Sequence, residues 1–94
     1  MNLDKAKKRI AKQVKKGFKG YPQISLSYFG DTQDCATSVI IYFTMEEGGE
    51  VQEQKFESKT DAREDEVIQS AIVKIIERAN ANSVIETEGV LVVK

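Results

Sequence analysis

Residues 36–57 read ATSVIIYFTMEEGGEVQEQKFE, and the fold turns on this stretch. Its first half is dense in β-branched and aromatic side chains, the composition of a strand. Gly48-Gly49 can adopt the positive φ angles of a two-residue turn, so a hairpin is expected. If Glu47 faces Glu50, then Met45 faces Gln52, Phe43 faces Gln54 and Ile41 faces Phe56. Val39, Ile41, Phe43, Met45 and Phe56 then share a core face. Ile40, Tyr42, Thr44, Val51, Glu53, Lys55 and Glu57 share the other. The second strand of the pair is polar on much of both faces, as suits a sheet edge.

Upstream, PQISLSYFG (residues 22–30) alternates Ile24, Leu26 and Tyr28 against Ser25, Ser27 and Phe29, a half-buried strand. Before it, residues 3–18 form an amphipathic helix at 100° per residue. Leu3, Ala6, Ile10 and Val14 line one side, with Phe18 at its edge. Lys5, Lys8, Arg9, Lys12, Lys15, Lys16 and Lys19 occupy the other. Lys7 falls beside the apolar stripe, where its alkyl stem can pack while the amine reaches water. Gly17, Gly20 and Pro22 end the helix.

Downstream, SKTDAREDEVIQSAIVKIIERANAN (residues 58–82) carries the clearest helical pattern. Thr60 or Asp61 is positioned to cap it, and Asp61 with Glu64 has capping-box spacing. Val67, Ile68, Ala71, Ile72, Ile75, Ile76 and Ala79 form its apolar stripe, and Asn80 or Asn82 ends it. The tail VIETEGVLVVK (residues 84–94) reads as a last strand, weakest at residues 86–89.

The whole chain, residues 1–94, is therefore expected to be one α+β domain. Its two-layer order is α-β-β-β-α-β: an antiparallel three-stranded meander plus a C-terminal strand, with two helices packed on one face. Ninety-four residues support one hydrophobic core. The pattern alone does not fix the place of the last strand in the sheet.

The composition excludes much chemistry. There is no His, no Trp and one Cys, so a His-based triad, a His general base and a Cys/His zinc site are ruled out. Neither GFKG nor EEGGE has the spacing of a phosphate-binding loop. Cys35 lacks a visible activating partner. Asp31 and Asp34 fit turn formation better than a calcium loop. The carboxylates of DAREDE are explained by capping and the helix dipole. We expect no enzyme, no catalytic residues, no metal, no cofactor and no small-molecule substrate. A lone Cys and no secretory signal point to the cytoplasm. The longest apolar run, residues 39–43, is far too short to span a bilayer.

Charge is segregated. Residues 1–20 hold eight Lys or Arg and one acid, Asp4, whereas residues 21–94 hold six bases and 14 acids. The basic helix face is thus a candidate anion- or partner-binding face, made of Lys5, Lys8, Arg9, Lys12, Lys15, Lys16 and Lys19. The competing explanation is a solvated face that softens the repulsion of an acidic body. The α-β-β-β-α order resembles that of double-stranded-RNA-binding domains in topology alone. Where those domains place bases at the start of the second helix, this chain reads TDAREDE.

A second candidate is a self-association surface. With both helices on one face, the other exposes Phe29, Ile40, Tyr42 and Val51. The final strand is apolar on both sides over residues 90–93, which adds Val90 and Val92. The expected role is that of a small cytoplasmic protein-interaction module, its partner a protein or a second copy in a homodimer. Nucleic-acid association through the basic helix is the alternative. Membrane binding is not expected, since the apolar stripe of the first helix is narrow and lacks Trp.

Overall fold

The computed structural model describes residues 2–92, with Glu88 described in its backbone alone. Helix α1 (Leu3–Lys15) is followed by β1 (Gln23–Gly30), β2 (Ser38–Thr44) and β3 (Val51–Glu57). A short 3-10 turn (Ala62–Glu64), helix α2 (Glu66–Ala79) and β4 (Ser83–Val92) complete the chain. The strands form one sheet in the order β3-β2-β1-β4. The meander is antiparallel, and β4 pairs parallel to β1. This is the expected α+β fold with both helices on one side, and it places the last strand beside the first. The chain leaves the sheet at the β3 edge, crosses over α2 and re-joins at the opposite edge.

The alternation read from the sequence orders the core. Ile24, Leu26, Tyr28, Val39, Ile41, Val84 and Val90 point to the helices, where they meet Ala6 and Ile10 of α1 and Ile68, Ile72, Val73 and Ile76 of α2. Each large aliphatic residue so buried stabilises the fold by roughly 1.5–3 kcal/mol. Edge strand β3 contributes Phe56, half-buried.

Several expectations need correction. The β2–β3 hairpin is offset by two residues: Thr44 pairs with Val51, Phe43 with Gln52, Ile41 with Gln54 and Val39 with Phe56. Gly48 has φ +75° but Gly49 does not reach positive φ, whereas the expected turn needs both residues there. The chain instead turns through residues 45–50, with Gly49 N–H donating to the Glu46 carbonyl at 3.0 Å. This also avoids setting Glu47 directly against Glu50, a like-charge pairing. Met45 consequently leaves the sheet and is 67% exposed. The face assignments of the other residues survive, because a slip of two preserves side-chain parity.

The start of α2 also differs. Asp61 caps the 3-10 turn, accepting from Arg63 N–H at 2.9 Å, and Asp65 caps α2, accepting from Val67 and Ile68 N–H at 3.0 and 3.2 Å. The buried row is Ile68, Ile72 and Ile76, flanked by Gln69 and Val73. Val67 lies on the far flank of the first turn and is 79% exposed. Asn80 ends the helix in the left-handed conformation, φ 52°, one of the few settings where a non-glycine residue is at ease there.

β4 is the expected last strand, and it bulges at the weak stretch. Leu26 pairs with Glu86 and Tyr28 with Val90, so three residues of β4 oppose Ser27 alone. Gly89, φ +76°, supplies the left-handed backbone this requires.

Candidate functional site

Three surfaces emerge from this frame. The first is the outer face of α1. Lys5, Lys8, Arg9, Lys12, Lys15, Lys16 and Lys19 are all exposed, as their helical phase demands. The structure supplies part of the expected internal compensation through two bridges to the α2 side. Lys7 Nζ lies 2.7 Å from Glu64 Oε1, and Arg9 NH1 lies 3.0 Å from Glu77 Oε1. The other six side chains of the face make no ion pair among the described residues.

The second surface is the sheet face without helices. β1 contributes Ser25, Ser27 and Phe29, and β2 contributes Ile40 and Tyr42. β3 adds Val51, Glu53, Lys55 and Glu57, and β4 adds Ile85, Thr87 and Leu91. Ser27 and Thr87 share a hydrogen bond of 3.0 Å there. Phe29, Ile40 and Tyr42 are half-buried by their neighbours, while Val51, Ile85 and Leu91 are exposed by 54%, 38% and 43%. Two of the expected members do not belong. Val90 pairs with Tyr28 and is buried in the core, and Val92 pairs with Gly30 in the same helix-side row, 45% exposed. Alternation along β4 puts Ile85 and Leu91 on the open face instead. Of the apolar run at residues 90–93, Val93 lies outside the described residues.

A third feature was missed by sequence reasoning: a groove of about 640 Å³ between α1 and β4, lined by both polar and apolar side chains. Its floor is a buried pair. Gln69 Nε2 donates to Tyr28 Oη at 3.0 Å and to the Ala62 carbonyl at 2.9 Å. Burial raises the Tyr28 hydroxyl above its ordinary pKa, against the Gln69 hydrogen bond, which lowers it. Glu86 projects from β4 into the wall, where partial burial raises its carboxyl pKa and Lys7 opposes the rise. The legible sign was Gln69 itself, a polar residue beside Ile72, Val73 and Ile76 on the helical wheel.

Other chemistry-bearing residues make contacts that tie loops together. Arg63 clasps Asp61 through Nε and NH2 at 3.0 and 2.7 Å and donates to the Asp34 carbonyl at 3.1 Å, tying the β1–β2 loop to the 3-10 turn. The half-buried Cys35 thiol donates to the Thr60 carbonyl at 3.4 Å. Among the described residues no group of three metal-ligating side chains comes together, and no helix is long and apolar enough to cross a membrane. No known family, curated protein or solved structure matches the chain.

Proposed function

We propose that this chain is a small non-enzymatic protein-interaction module that self-associates through its open sheet face. One observation carries the reading: the sheet has helices on one side only, and all four strands place apolar side chains on the bare side. A sheet face of this kind gains from a cover, because burying it removes apolar area from water. The lone, half-buried Cys35 fits a reducing compartment such as the cytoplasm. Sedimentation of the purified chain tests the function. The wild type should associate with rising concentration, and Tyr42→Glu or Leu91→Glu should remain monomeric with an unchanged helical signal. A wild type that stays monomeric at high concentration removes the reading.

A second reading rests on a different observation, the six bases of the α1 face that make no ion pair among the described residues. There the chain binds a polyanion, and binding weakens steeply as salt displaces the phosphate contacts. Association through the apolar face weakens far less with salt, so one titration at two ionic strengths separates the two.

A further inference from the structure

Among the described side chains, charge on the open face is confined to one edge. Glu53, Lys55 and Glu57 all lie on β3, while the open-face side chains described on β1, β2 and β4 are uncharged. Their order along the strand, acid-base-acid, restricts how two copies of this face can meet. Face-to-face sheets pack about 10 Å apart with strand directions within about 30° of each other. Two kinds of two-fold axis in the interface satisfy that. An axis along the strands lays β3 over the partner's β4, pressing three charges onto Ile85 and Leu91, and burying unpaired charge against apolar atoms is costly. An axis across the strands lays β3 over the partner's β3, at the wet rim.

The level of that axis is set by the register. The middle of the sheet is the row Gln54–Ile41–Leu26–Glu86, whose side chains all point to the helices. Glu53 and Lys55 stand one residue to either side of it, beside Tyr42 and Ile40 respectively. A two-fold axis through the row therefore brings Glu53 opposite the partner's Lys55, and Lys55 opposite the partner's Glu53. It also sets Ile40 against the partner's Tyr42. Moving the axis one residue, to Lys55, would oppose lysine to lysine and Glu53 to Glu57.

Resting on the interaction reading above, we infer that the occupant of the open face is a second copy of this chain. The copies are related by a two-fold axis running across the strands at Ile41 and Gln54, with reciprocal Glu53–Lys55 pairs at the rim. Within one chain Lys55 already sits 3.5 Å from Glu57, but both side chains are more than half exposed, so this contact holds the lysine weakly. Four strands about 4.8 Å apart and seven residues long give a footprint of roughly 450 Å² per copy before side-chain relief. That is near the lower limit of specific interfaces, so the dimer should be concentration-dependent and sensitive to its rim.

Sedimentation velocity of the full chain as Lys55→Glu, Glu53→Lys and the double exchange tests the arrangement, with thermal unfolding of each variant as the check on folding. Each single reversal creates two like-charge contacts and should weaken the dimer by about tenfold. The double exchange restores both pairs and should recover most of the wild-type affinity. A dimer indifferent to the single reversals, or one that the double exchange fails to recover, overturns this geometry while leaving the apolar face as the interface. A wild type without any dimer overturns the interaction reading and this inference together.

Discussion

At Gly30 the end of β1 runs against the next loop so closely that a Cβ would overlap the Cys35 carbonyl. Gly30→Ala therefore has to push backbone from backbone, and should destabilise by about 1–3 kcal/mol in urea unfolding. A neutral result would mean that residues 31–37 yield freely. Glu86 carries a different cost. Its ordinary pKa of 4.5 is raised in the fold by partial burial, so ionising it opposes folding. The penalty is full above the raised value and vanishes below about 4.5. Glu86→Gln should therefore stabilise slightly at pH 7, with the gain fading as pH falls towards 4.5. An equal gain at pH 4 and pH 7 would assign it to something other than charge. Asp61 runs the opposite way: Arg63 holds its carboxyl below the ordinary value of 3.8. The stability from that pair is present above 3.8 and is lost as pH falls through the lower folded value. Glu86 did not announce itself in the sequence, because desolvation depends on which neighbours close over a group; Asp61 was legible as a capping residue but not as the partner of Arg63.

Individual elements depend on a few joints. Asp65 accepts from two amides of the first turn of α2 and also from Ser58 Oγ at 2.9 Å. Asp65→Ala should cost about 1–2 kcal/mol, whereas Asp61→Ala should loosen the 3-10 turn and leave the α2 cap in place; amide exchange of Val67 and Ile68 reads the difference. Which acid capped the helix was not legible in DAREDE, since Asp61 and Asp65 both precede a plausible first turn. What decides it is tertiary. Ala62 N–H donates to the Ala36 carbonyl at 2.7 Å, and Ala62 is fully buried, so the chain docks once before the helix begins. The hairpin shows the converse. Its offset was misread, yet the faces of Val39, Ile41, Phe43 and Phe56 were right, because period-two alternation is insensitive to an even slip.

Across the whole molecule, the layer order was legible from hydrophobic periodicity alone, and the open face followed from counting helices against sheet faces. The place of β4 was not, because a strand apolar on both sides fits a central or an edge position equally well. Nor could the sequence show that, of the bases of α1, Lys7 and Arg9 are the ones that pair with acids, Glu64 and Glu77. Lys8, Lys12 and Lys16 make no ion pair among the described residues, so changing all three to Gln removes repulsion and no attraction. At low salt the triple variant should unfold at the same or a higher temperature, with the difference shrinking as salt rises. A loss of stability at low salt would mean that the acidic body acts on the entire face at a distance.

The bulge in β4 bears on how this chain tolerates insertion and deletion. Between Glu86 and Val90 it spends two more residues than β1 spends between Leu26 and Tyr28. Because the excess is even, excising residues 88 and 89 together leaves Val84, Glu86 and Val90 in one row and gives a regular ladder beside β1. Excising either one alone turns Val90 outward and drives Leu91 into the core row. The strand should therefore accept length changes in pairs and reject them singly, and a library of one- and two-residue deletions at 87–89, sorted for folded protein, would display that even-odd rule.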